Sequence, residues 1–284
     1  MTRQLLRTKV LVGAGLAAAF LLTVNAATAQ DYPVTLPPRV IEQSFSLGTT
    51  PFVKISNING KIEVSGGSGS TVEVTATEVI HAQTPDLAQE AGREVTLDFS
   101  HTGDSLDASV NGPFRGHDWH NPGYSVTFDF VVHVPSGASV ALRTVNGSVH
   151  MDAVRGRFRA HTVNGSIAVT GAAGAGDART VNGGVRAEYG AEPGGNCDFH
   201  TVNGSIHVTF PQSLNAEIHY RTLNGSVYTD YNVQPLAEAA AESHRHNGEI
   251  VFRRRHAGSG QIGHGGPSIT LATLNGAIYI HGAH

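Results

Sequence analysis

From Tyr124 onward, apolar and polar positions alternate in short runs, the period-2 signature of strands with one buried face. Val126, Phe128, Phe130 and Val132 share one parity, and so do Val140, Leu142, Thr144 and Asn146. The phase then resets at an Asn-Gly step, and Val149 and Met151 become the inward pair. The same layout returns as Phe158, Ala160, Thr162 and Asn164, then Ile167 and Val169. It recurs as Ile218, Tyr220, Thr222 and Asn224, then Val227 and Thr229, and again as Ile269, Leu271, Thr273 and Asn275, then Ile278 and Ile280. This phasing predicts that Thr and Asn both point inward at a corner. Between Ser65 and Tyr124 the pattern loosens, although Val72, Val74, Val95, Leu97 and Phe99 still read as strands.

The corner repeats. It is Thr144-Val145-Asn146-Gly147, Thr162-Val163-Asn164-Gly165, Thr180-Val181-Asn182-Gly183, Thr201-Val202-Asn203-Gly204, Thr222-Leu223-Asn224-Gly225 and Thr273-Leu274-Asn275-Gly276, with a degenerate copy at Asn57-Ile58-Asn59-Gly60. Successive asparagines from Asn146 to Asn224 stand 18, 18, 21 and 21 residues apart. Asn-Gly usually marks a two-residue hairpin, but a hairpin array needs a second turn to return every strand, whereas equal copies at this period suit one corner of stacked coils. The expected fold is all-β: a single-stranded parallel β-solenoid with coils of 18–21 residues, right-handed by the general bias of parallel crossovers. Stacking would set equivalent residues ~4.8 Å apart. Asn59, Asn146, Asn164, Asn182, Asn203, Asn224 and Asn275 would then form a ladder of side-chain amides, at about 0.5–1.5 kcal/mol net per hydrogen bond. Turn chemistry also explains the Asn-Gly-Ser sequons, and inward asparagines would be closed to a glycosyltransferase.

The first 29 residues carry Arg3, Arg7 and Lys9, an apolar run from Val10 to Leu22, and Ala27-Thr28-Ala29, the three-part pattern of a secretory signal peptide. The apolar stretch Val10 to Val24 is 15 residues with Gly13 and Gly15 inside it, short of the ~20 needed to span a bilayer. Cleavage would leave a solenoid domain at 30–284, with a projecting loop at about 101–123 and an insertion at about 232–267 containing a short helix near 236–243 and a strand near 249–255. The protein is expected to be exported, to periplasm or cell surface. The remaining chain has 16 Lys+Arg against 23 Asp+Glu, a balance of −7, which argues against a nucleic-acid partner. Cys197, the single cysteine, cannot form an internal disulfide and reads as a buried thiol.

These residues resemble the bacterial putative-adhesin family of β-strand repeats, a domain of unknown function found in exported proteins. The resemblance rests on the Asn59–Val64 strand, the Val134–Ala138 step, the Thr-Val-Asn-Gly copies and Gly263-His264-Gly265-Gly266, and it covers the chain from about Phe52 to its end. It implies the fold and brings no catalytic residues with it.

Outward positions carry the candidate chemistry. Arg143, His161, Arg179, His200 and Arg221 each precede the corner threonine, with Ala272 in the last copy, so stacking would align an Arg/His row. Val145, Val163, Val181, Val202, Leu223 and Leu274 would run beside it as an apolar stripe. An apolar stripe bordered by cations suits an anionic glycan, a lipid head group or an envelope protein. His117-Asp118-Trp119-His120 and His244-Arg245-His246 lack the spacing of a zinc site, and no metal or cofactor is expected. Gly258-Ser259-Gly260-Gln261-Ile262-Gly263 spells a dinucleotide fingerprint but is followed by Gly-Gly-Pro and no helix. Asp98, Asp104 and Asp107 do not recur on stacked coils, as the paired acids of a glycoside hydrolase would. The expected function is non-catalytic binding or scaffolding, with a carbohydrate-active β-helix enzyme and a self-associating envelope-stress accessory as alternatives.

Overall fold

A computed structural model describes residues 32–113, 123–236, 243–246, 249–252 and 257–283. The expected signal peptide, the loop histidines His117 and His120, and most of the short helix expected near 236–243 fall outside the described residues. The fold is all-β, with two large mixed sheets of 13 and 11 strands and no closed barrel among the described residues.

Each corner repeat contributes one strand to each sheet. In the smaller sheet Phe52–Ser56, Ser139–Arg143, Phe158–His161, Gly176–Arg179 and Cys197–His200 lie side by side in parallel. In the larger sheet Ile62–Gly67, Val149–Asp152, Ile167–Ala172, Val185–Tyr189 and Ile206–Phe210 do the same. Alternation decides which side chains face the other sheet: Val140, Leu142, Phe158 and Ala160 from one meet Val149, Met151, Ile167 and Val169 from the other, all buried. Gly176 breaks the apolar series because the Phe158 ring and the Tyr189 hydroxyl already occupy its side-chain volume; a Cβ there would sit 2.4 Å from the ring.

The order of the array departs from chain order at its far end. Cys197–His200 pairs with Ser268–Asn275, and that strand pairs in turn with Ala216–Asn224. In the larger sheet Ile278–Gly282 likewise stands between Ile206–Phe210 and Val227–Thr229. The last repeat is therefore inserted between the two that precede it, out of chain order. Its Ile269, Leu271, Ile278 and Ile280 are fully buried by neighbours on both sides.

Each letter of the corner motif has its own physical cause. The threonine is buried and its Oγ1 donates to the glycine carbonyl of the adjacent repeat: Thr162 to Gly147 at 2.8 Å, Thr180 to Gly165 at 2.8 Å and Thr201 to Gly183 at 2.7 Å. The glycine is there for close approach, because a Cβ on Gly165 would lie 2.0 Å from the carbonyl oxygen of Gly147, and one on Gly147 equally close to that of Gly60. The asparagine Nδ2 donates to the Oδ1 of its neighbour in a continuous series, Asn224 to Asn275 at 2.7 Å, then Asn275 to Asn203, Asn203 to Asn182, Asn182 to Asn164, Asn164 to Asn146 and Asn146 to Asn59, each at 2.8 Å. These amides do not point inward: from Asn146 to Asn275 the motif asparagines are exposed, on the outer rim of the corner. Alternation fails there because the chain turns, and an amide satisfied along the stack needs no place in the core. Inaccessibility therefore cannot be what argues against their glycosylation.

The expected projecting loop begins as a hairpin, with Thr96–Thr102 antiparallel to Ser105–Asn111. A helix at Pro85–Glu94 went unrecognised in the sequence, although Thr84 accepts at Oγ1 from the Leu87 N–H, Pro85 opens the first turn, and Ala88 and Ala91 are buried. Val95, read as a strand residue, instead caps this helix through its N–H to the Ala91 carbonyl at 2.9 Å. Antiparallel strands terminate the parallel runs: Arg39–Ser46 and Thr71–Ala82 at one end, and Ala257–Ile262, Val233–Pro235 and Glu249–Phe252 at the other.

Candidate binding face

The outward side of the smaller sheet carries two rows of side chains, set by strand register. One row runs Ser56, Arg143, His161, Arg179, His200, Ala272, Arg221. The other, two residues earlier in each strand, runs Lys54, Ala141, Arg159, Asp177, Asp198, Thr270, His219. Register brings Arg143, His161, Arg179 and His200 onto adjacent strands, as their spacing implied. Arg221 is separated from them by the inserted Ala272, and the row is broken there.

Asp177 knits the two rows together. Its carboxylate accepts from Arg179 Nε at 2.7 Å and lies 3.3 Å from His161 Nε2 and 3.4 Å from Arg159 Nε. Partial burial alone would raise the Asp177 pKa, but hydrogen bonds from His161 and Arg179, with the positive charge behind them, hold it at about 2. The carboxylate is thus ionised at any physiological pH. His200 approaches Asp198 at 3.4 Å, and Lys54 donates to Asp107 at 2.7 Å. Arg143 has no carboxylate partner among the described residues.

Over these side chains lies an open groove of about 1180 Å³, lined among others by Phe52, Lys54, Arg143, Arg159, Asp177 and Arg179. Val145 and Asn146 form its rim toward the corner. Further along that corner the apolar stripe is exposed, from 37% at Val163 and Val202 to 51% at Leu223. Leu274 stands between Val202 and Leu223 in the stripe, following the same inserted order.

The outward side of the larger sheet holds a feature that sequence reasoning missed. His207, Tyr279 and Tyr228 stack with ring centroids 4.4 and 4.9 Å apart and planes within 10°. Burial, together with nearby Arg186 and His281, lowers the His207 pKa. No local signal marks this stack, because Tyr279 reaches the position between the other two rings only through the insertion of the last repeat.

Asp98 accepts from Asn111 at 2.9 Å and lies on the same face of the hairpin as Asp107, two positions away in register, where Asp107 accepts from Lys54 and Ser109. The glycine string at 258–263 is mostly strand, Ala257–Ile262, with no helix after it among the described residues. Cys197 is buried, its Sγ 3.2 Å from the Tyr189 hydroxyl, and burial raises the thiol pKa. Among the described residues no group of three or more His, Cys, Asp or Glu is placed to hold a metal. No helix among them is long and apolar enough to cross a membrane.

No protein-family profile matches the chain, and no curated protein matches it. Among solved structures it is similar to a putative cell adhesion protein from Clostridium sporogenes, at 12% identity and a TM-score of 0.45, over 87% of this chain and 100% of that one. It is similar also to a putative adhesin from Bacteroides fragilis, at 10% identity and a TM-score of 0.40, over 86% of this chain and 97% of that one. A putative lipid binding protein from Parabacteroides distasonis matches at 9% identity and a TM-score of 0.29, over 86% and 97%. The roles in these names belong to those proteins.

Proposed function

We propose that this chain is an exported, non-catalytic module of the adhesin type, a single-stranded parallel solenoid that presents the outward face of its smaller sheet to a partner in the envelope or outside the cell. The observation that carries the reading is the groove in which Arg159, His161 and Arg179 engage one ionised carboxylate, Asp177, while Arg143 lines the same groove without a carboxylate partner among the described residues. Backbone pairing and the stacked corners hold these side chains on a rigid surface, so little ordering entropy opposes binding. Asp177 is engaged by two arginines and a histidine and is held ionised, with Asp198 opposite it on the next strand, which favours a fixed hydrogen-bond acceptor over a proton donor to a glycosidic oxygen. The exposed Val/Leu stripe favours self-association as a second reading.

The test is binding of purified 30–284 to a glycan array and to lipid strips, beside a double variant Arg143→Ser, Arg179→Ser. Binding that is present in the intact chain and lost in the variant, with melting temperature retained, is the expected result. An intact chain that binds nothing, or a variant that binds equally well, contradicts the reading. Size-exclusion chromatography of Val163→Ser, Val181→Ser separates the second reading, since only a self-associating stripe would change elution volume.

A further inference from the structure

We infer that the groove over the smaller sheet takes a linear acidic polysaccharide, laid across the strands along the axis of the array, with an anionic group on alternate sugars. The inference rests on the binding-face reading above and assigns the ligand's chemistry.

Three features of the groove lead to it. The first is spacing: parallel strands repeat at ~4.8 Å, so the Cα atoms of Arg143 and Arg179, two strands apart, stand ~9.6 Å from each other on one outward row with His161 between them. Such spacing matches a polymer whose charges are regular and sparse, and guanidinium groups pair well with carboxylate or sulfate. The second is Asp177, a fixed acceptor in the floor of the groove, bonded to Arg159 and Arg179. A sugar supplies hydroxyl donors for such a carboxylate, whereas a phosphate-dense surface or polymer would meet its negative charge. The third is apolar lining: Phe52 is 44% exposed and lies with Val145 along the same groove, where the C–H faces of sugar rings can pack. Arg143 is the residue on which the inference turns, since it is the lining arginine without a carboxylate partner among the described residues and is free to receive the ligand's anion.

Calorimetric titration of 30–284 with hyaluronan, which carries a carboxylate on alternate sugars, tests the inference, with neutral dextran and phosphatidylglycerol vesicles as the other probes. Hyaluronan is expected to bind, dextran and vesicles not, and Arg143→Ser to weaken hyaluronan binding by about tenfold or more, as befits one charge-assisted contact. Arg221→Ser, beyond the break at Ala272, is expected to leave the affinity unchanged. Asp177→Asn keeps one acceptor oxygen but loses the carboxylate that receives sugar hydroxyls and fixes Arg159 and Arg179, so hyaluronan binding is expected to weaken despite the lost negative charge, whereas a vesicle surface that needs no such acceptor would gain from it. Arg143 has no ion pair among the described residues, so its variant remains informative even if Asp177→Asn proves unstable. Vesicle binding that Asp177→Asn strengthens, with no binding of hyaluronan, overturns this inference and keeps the face. Hyaluronan binding that Arg143→Ser leaves intact overturns the assignment of the groove. Failure of every probe, joined to a blank glycan array and lipid strip, overturns both.

Discussion

The middle of the array and its far end are built from the same motif and differ in assembly. From Asn146 to Asn203 each repeat stacks on the one made just before it, with ladder partners 18 or 21 residues apart. At the far end Asn275 bonds Asn203 across 72 residues and Asn224 bonds Asn275 across 51. The corner chemistry is identical in both regions, so the motif specifies that a repeat will stack without specifying on which neighbour. Loop-closure entropy grows only slowly with separation, so long closures cost little more than short ones once the intervening chain has places of its own to pair. In the far region those places are the strands Val233–Pro235 and Ala257–Ile262, antiparallel to each other at the edge of the smaller sheet.

This difference fixes where deletions should hurt. Removing 268–284 withdraws the parallel neighbour of the Asn224 repeat in each sheet and four fully buried aliphatic side chains, Ile269, Leu271, Ile278 and Ile280. Such a side chain contributes about 2–5 kcal/mol, and net stability of a whole domain is about 5–15 kcal/mol. The truncated chain is expected to lose cooperative melting, read by circular dichroism. Removing 164–181, one full period from the middle, instead joins Val163 to Asn182 and lets the ladder close up, so a cooperative transition is expected to survive at a lower temperature. Equal tolerance of the two deletions would break the comparison.

A smaller effect sharpens it. Asn182→Ala removes two ladder bonds in the middle of the array. The rim is exposed, so water can replace part of what is lost, and the cost is expected near 1 kcal/mol, the lower part of the range for two bonds. The surface control Glu188→Ala should fall within ±0.5 kcal/mol. Matching melting temperatures for the two variants would remove any energetic role for the ladder.

The corner was legible because every copy obeys one local rule. Thr, Asn and Gly each answer a contact with the adjacent repeat, and the 18- and 21-residue spacings announce that contact directly. The outward direction of the asparagines was not legible, since strand alternation was carried through a corner at which the backbone turns. The helix at Pro85–Glu94 did leave signals in Thr84, Pro85 and Asp86, masked by the strand-like Val95, Leu97 and Phe99 that follow. The site divides the same way. Arg143, His161, Arg179 and His200 could be aligned from spacing alone, but Lys54, Arg159 and Asp177 share their groove only once strand register is known. Ala272 breaks the row, and Tyr279 completes the aromatic stack, for one reason that no local pattern encodes: the last repeat enters the array one place early.

That order joins fold to site, and engineered disulfides read it directly. His200→Cys with Ala272→Cys places two thiols on adjacent parallel strands, whereas His200→Cys with Arg221→Cys places them two strands apart. Adjacent strands bring Cα atoms to ~4.8 Å, inside the 4.4–6.8 Å range of a disulfide, and two spacings give ~9.6 Å, beyond reach. Both pairs would be oxidised under mild conditions and mapped by mass spectrometry, with Cys197 left buried in place. The inserted order expects a 200–272 bond and no 200–221 bond. A 200–221 bond without the other would mean that the repeats stack in chain order, and both the break in the Arg/His row and the limit it sets on the candidate binding face would fall with it.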